Sequence, residues 1–194
     1  MSHVAVIPIL LWVAALACAG IAIWREPRPH KSGFAVDRLL RYLFLIPLGL
    51  QGLSAFFGHV FFAEQAAASI GWANTPFRYE VGVANLGLAL AATYAAFKGF
   101  EARFAVAIAA AGFLGGAGII HIVDIVGRGN LAPGNAGPIL VTDFLTPIAI
   151  FVLLAFASER WRPKSPATIA LETELEVARK ALRDYRDALS ELGK

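Results

Sequence analysis

Apolar residues fall into five long runs, roughly 4–24, 39–63, 81–97, 104–126 and 139–157, separated by segments rich in charge and turn-forming residues. An α-helix rises about 1.5 Å per residue, so about 20 apolar residues cross a hydrocarbon core about 30 Å thick. The runs are continuously apolar and rich in Ala and Leu. That pattern suits buried or lipid-facing helices, whereas membrane strands would alternate and would have to close into a barrel. The expected fold is all-α: a five-transmembrane-helix bundle over 1–162, in which 81–97 is the shortest run.

After Pro163 the pattern changes to charged and amphipathic, which sets a boundary and leaves 163–194 as a tail. Leu171, Leu175, Ala178, Leu182, Tyr185, Leu189 and Leu192 follow the alternating 4, 3 spacing of a coiled-coil seam, while Glu174, Arg179, Lys180, Arg183 and Asp187 fall off it. The tail is expected to be a cytoplasmic coiled-coil helix that joins protomers into a homo-oligomer through residues 168–192. The competing arrangement is an amphipathic helix folded against its own subunit.

Composition sharpens this picture. Of 194 residues, 58% are hydrophobic and 16% charged, and the mean hydropathy is +0.64, values that exclude an ordinary water-soluble domain. A net charge of +3 carries no polyanion-binding surface, so nucleic acid is not an expected partner. The single cysteine, Cys18, has no partner for a disulfide or a thiolate metal site. Ten basic residues (Arg25, Arg28, Lys31, Arg38, Arg41, Lys98, Arg103, Arg160, Arg162 and Lys164) flank one side of the five runs, and two, Arg78 and Arg128, flank the other. Basic residues are retained on the cytoplasmic side, so the N-terminus is expected outside and the C-terminus inside. The first run has no basic residue ahead of it and Arg25 directly after it, the charge order of a retained helix rather than of a cleaved signal. Arg38 and Arg41 are expected to face lipid phosphates.

Ionisable groups at membrane depth cost roughly 2.5 kcal/mol or more each, and here they gather toward the outer side. His59 closes the second run, Glu80 precedes the third, His121 and Asp124 lie near the end of the fourth, and Asp143 lies near the start of the fifth. His121 and Asp124 are three residues apart and share a helical face. Two imidazoles with three carboxylates form an inventory suited to a Zn, Fe or Mn ion, so His59, Glu80, His121, Asp124 and Asp143 are candidate ligands of a divalent metal supporting redox or hydrolytic chemistry. The same groups could instead relay a proton or line a path for a small solute or ion, or pin the helices of an assembly subunit together. Two turn-rich loops, Gly71 to Phe77 and Gly127 to Pro138, lie over this cluster and could cover it as a lid.

Gly58-His59, Ile70-Gly71-Trp72, the stretch Pro76 to Gly82 with Ala84-Asn85-Leu86, Gly118-Ile119-Ile120-His121 and Ala132 to Gly137 together resemble the pattern of an uncharacterised family of small bacterial multi-pass membrane proteins. The likeness covers the second to fifth runs and not the tail. It implies a bacterial inner-membrane location and groups His59, Glu80, Asn85 and His121, but it implies no activity. Arg78 stands where the family pattern has Gln.

Overall fold

The computed structural model describes residues 3–26, 33–161 and 166–192. All its described elements are helical. Among them, four spans are long and apolar enough to cross a membrane: Val6–Trp24, Phe34–Phe61, Phe100–Arg128 and Pro138–Ala157. Many of their large side chains are turned outward. Leu10, Val13, Ile120, Val123 and Phe156 are exposed, while the interior combines Leu40, Phe44 and Ile150 with many small residues, among them Ala15, Ala19, Ala89, Ala92, Ala107 and Ala110. That inside-out arrangement suits a helical protein in lipid, where small residues let backbones approach and large ones meet acyl chains. These features suggest a membrane protein.

The first span belongs to α1 (His3–Trp24). The second is composite. It opens at Gly33, whose φ of 80° only glycine adopts easily, and runs through α2 (Phe34–Leu43) into a π-helical segment, Phe44–Leu50. Pro47 lies inside that segment. Its ring has no N–H and collides with the carbonyl four residues back, which the wider turn relieves. The helix resumes as α3 (Gln51–Phe61), breaks at Phe62, and continues as the short α4 (Ala63–Ile70). The expected run 39–63 therefore starts five residues earlier, at Phe34, and ends in a break.

The run expected at 81–97 forms α5 (Phe77–Ala95) and is not among the four spans. Arg78, Glu80 and Asn85 in its first half lower its apolar character. It packs most extensively on α3. Gly52 and Gly82 make this possible, because a Cβ on Gly52 would lie 3.2 Å from Ala89 and one on Gly82 would lie 2.7 Å from Val60. The longest helix, α6 (Phe100–Arg128), follows after a tight turn, and α7 (Pro138–Trp161) remains one helix across Pro147.

The end of the molecule that holds the α5–α6 turn is built around Arg103, which is 1% exposed. Its guanidinium donates to Asp37 Oδ1 at 2.9 Å and to the carbonyls of Ala95 at 3.2 Å and Ala96 at 2.8 Å. One side chain thus satisfies the last carbonyls of α5 and ties α2, α5 and α6 together. Arg38 lies over the Phe34 ring, and Arg41 reaches Asp37 and the Phe97 ring. Both side chains thus also make contacts within the protein. Arg28, Lys31, Arg162 and Lys164, used in the charge count, and Pro163 at the expected boundary lie outside the described residues; the side chain of Arg160 does as well.

Residues 161–194 form a separate unit that contains α8 (Pro166–Leu192). Leu171, Leu175, Leu182 and Tyr185, expected along the coiled-coil seam, are all exposed on it. The side chains of Leu189 and Leu192 lie outside the described residues.

Candidate functional site: a buried His–Asp–Asn cluster

Helix α6 places His121 and Asp124 one turn apart on its inner face, and both are buried. The segment that follows folds back over them. Gly129 ends α6 with a φ of 66°. Asn130 then acts as a hub: its Oδ1 accepts from the Ala132 N–H at 3.1 Å, and its Nδ2 donates to Ile70 O at 2.9 Å and to Asp124 Oδ2 at 2.6 Å. This is the local side-chain turn that Asn forms readily, here joined to α4 and α6 as well. Gly134 donates to Ser69 O at 2.8 Å, and its missing Cβ would stand 2.7 Å from that oxygen, so only glycine fits the seam.

Helix α4 ends at Gly71 (φ 78°), with Trp72 N bonded to Ala67 O and Gly71 N to Ala68 O. Those paired bonds are a helix-ending motif that reverses the chain, and they turn Trp72 toward α6. Its indole stacks on His121 with centroids 5.4 Å apart, and its Nε1 donates to Asp124 Oδ2 at 2.8 Å. Arg128 Nε lies 3.5 Å from Asp124 Oδ1. Both oxygens of Asp124 are therefore engaged.

His121 is held from both sides of its ring. Nδ1 lies 2.6 Å from Asn135 Oδ1, and Nε2 lies 3.9 Å from Asp143 Oδ2 on α7. Asn135 is fully buried, and its Nδ2 donates to Asn130 O at 2.8 Å. That bond fixes the amide, because flipping it would set two acceptor oxygens against each other. Asn135 thus presents an acceptor to His121, so Nδ1 carries the proton and Nε2 is bare when the ring is neutral. Bare Nε2 faces Asp143 Oδ2, which is buried and has no hydrogen-bond partner among the described residues. Below Asp143, Thr146 accepts from Trp12 Nε1 at 3.1 Å, fastening α7 to α1.

Three of the five expected metal ligands, His121, Asp124 and Asp143, share this neighbourhood. The other two do not contribute to it. His59 Nδ1 is 3.2 Å from Arg78 Nη1, so a guanidinium, a pure donor, occupies its lone pair. Glu80 is exposed on α5. Among the described residues no three His, Cys, Asp or Glu side chains are grouped to hold a metal ion. Arg78 engages His59 at Nδ1, and Trp72, Asn130 and Arg128 engage Asp124, so within the expected set the His121–Asp143 pair is the part that holds an unpartnered buried oxygen. The two loops hydrogen-bond to His121 and Asp124 through Asn135, Asn130 and Trp72, functional candidates that reading helix faces missed.

Among the described residues the fold is all-helical, with four helices long and apolar enough to cross a membrane and a buried polar cluster near one end of them. A family model described as a family of unknown function (DUF6790) matches residues 5–163. The chain belongs to that family, and α8 lies beyond the matched region. No curated protein and no solved structure is similar enough to this chain to count as a match.

Proposed function

We propose that this protein is a proton-handling component of a membrane, with the His121–Asp143 pair as the site that takes up and passes the proton. The observation that carries the reading is the pairing of two acceptors, His121 Nε2 and Asp143 Oδ2, across 3.9 Å in a buried setting. Two facing lone pairs repel unless something positive or donating lies between them. A proton on either group, or a water between them, meets that need, and a shift of about 1 Å brings the two atoms to hydrogen-bond length. Asn135 holds the imidazole so that only Nε2 exchanges, and Trp72 closes the far face of the ring.

A divalent ion at the same position would have two protein ligands and would draw the rest from water, fewer than the three or four that zinc takes from a protein. Redox or hydrolytic metal chemistry is therefore the weaker reading, and a purely structural role in an assembly rests on the tail alone. In the full proposal α5 is a fifth membrane helix, the site faces the outer leaflet of a bacterial inner membrane, and the C-terminus is cytoplasmic. Residues 168–192 then pair protomers as a coiled coil.

Proteoliposomes carrying a trapped pH-sensitive dye test the reading under an imposed potential. Proton flux that Asp143→Asn and His121→Phe abolish supports it. Absence of flux under every gradient refutes it, and stoichiometric metal lost in the same variants returns the site to the metal reading.

A further inference from the structure

Outside the sealed pair, a groove of about 350 Å³ lies between α6 and the start of the α4–α5 loop, lined by Trp72, Ile120, Val123, Asp124, Gly127 and Arg128. It combines three features. The Arg128 side chain is 80% exposed, with Nε 3.5 Å from Asp124 Oδ1, and a guanidinium so exposed can offer its terminal nitrogens as a two-pronged donor. The opposite sign is close by: the Asp124 carboxylate, and the last carbonyls of α6, whose helix end is the negative end of the dipole. The third feature is an apolar strip running down α6 from the groove, on which Ile119, Ile120, Val123 and Val126 are all more than half exposed.

We infer that this groove binds one phospholipid with a zwitterionic amine headgroup. The phosphodiester sits on Arg128, the ammonium sits between Asp124 and the end of α6, and an acyl chain lies along Ile120 and Val123. Charge complementarity selects the headgroup. Arg128 and Asp124 sum to zero, so a net anionic headgroup gains from one residue what it loses to the other, whereas a zwitterion matches both. The apolar strip selects a lipid over a free phosphate, because a soluble phosphoamine leaves Ile120 and Val123 without a partner. Trp72 lines the groove, and indoles are side chains that favour the headgroup layer. The inference is independent of what His121 and Asp143 do with a proton.

Native mass spectrometry of the full chain in mild detergent tests it, with phosphatidylethanolamine and phosphatidylglycerol of identical acyl chains added at matched concentrations. Wild type is expected to retain one phosphatidylethanolamine in preference to phosphatidylglycerol. Arg128→Ala, at an exposed position that leaves the fold intact, should weaken that binding about tenfold, the loss of a charge-assisted hydrogen bond. Equal retention by Arg128→Ala, or equal retention of the two lipids by wild type, overturns the assignment. Displacement of the lipid by an equal concentration of free phosphoethanolamine overturns the role of the apolar strip.

Discussion

Replacing Asn135 with Ala removes one side chain and orphans two groups. His121 Nδ1–H loses its acceptor at 2.6 Å, and Asn130 O loses its donor at 2.8 Å. The two losses are unequal. His121 is 7% exposed and Asn135 is fully covered, so an unmet imidazole N–H bears most of its desolvation cost, about 1–3 kcal/mol. Asn130 is half-buried, and water can replace the lost donor at small cost. The single variant should therefore lose about 2–3 kcal/mol of stability. In a His121→Ala background the larger part has already vanished, and Asn135→Ala should then cost only about 1 kcal/mol, a coupling of about 1–2 kcal/mol. Reversible unfolding in mixed micelles, followed by tryptophan fluorescence on the four proteins of the cycle, measures it. Costs that add to within about 0.5 kcal/mol would refute the claim that Asn135 acts through His121.

Other consequences follow from the same packing. Arg103→Met should destabilise the protein by about 3 kcal/mol or more in the same assay, because it removes the 2.9 Å partner of Asp37, leaving only Arg41 at 3.7 Å, and takes a donor from the carbonyls of Ala96 and Ala95, the latter keeping the Lys98 N–H; a change below about 0.5 kcal/mol would contradict the role given to it. Gly134→Ala should cost about 1–3 kcal/mol because its Cβ meets the Ser69 carbonyl, whereas Gly58→Ala, with open space around it, should be neutral or stabilise α3 by up to about 1 kcal/mol. Deleting residues 163–194 should lower the oligomeric state measured by light scattering in detergent; an unchanged mass would remove the coiled-coil proposal for the tail.

How far the sequence could be read depended on the range of the interactions involved. Apolar runs located four spans because hydropathy is a property of consecutive residues. The third run, around α5, falls outside those four, since Arg78 and Glu80 sit just ahead of it in the same helix. His121 and Asp124 could be placed together from their spacing alone. Adding Asp143 needed only the alternation of helix direction, which brings the start of α7 beside the end of α6. Asn135 and Trp72 were hidden because their positions depend on how Gly71, Gly129 and Gly134 turn the chain, and glycine permits many turns without selecting one. The contact of His59 could not be read for a different reason: its partner Arg78 comes from another helix, and residue counting does not show which ring nitrogen a guanidinium engages. Arg103 was counted as a cytoplasmic flanking charge, a rule that ignores burial, when its carbonyl contacts make it a structural clamp.

The proton account rests on which nitrogen of His121 bears hydrogen and on what the other one faces. Nitrogen-15 solid-state NMR of histidine-labelled protein in bilayers reads both directly, with the His121 signals among the four histidines identified by their loss in His121→Gln. The account predicts a protonated Nδ1 and a bare Nε2 in the neutral ring, with an Nε2 shift that moves in Asp143→Asn. A protonated Nε2 beside a bare Nδ1, or an Nε2 signal indifferent to Asp143→Asn, would contradict it.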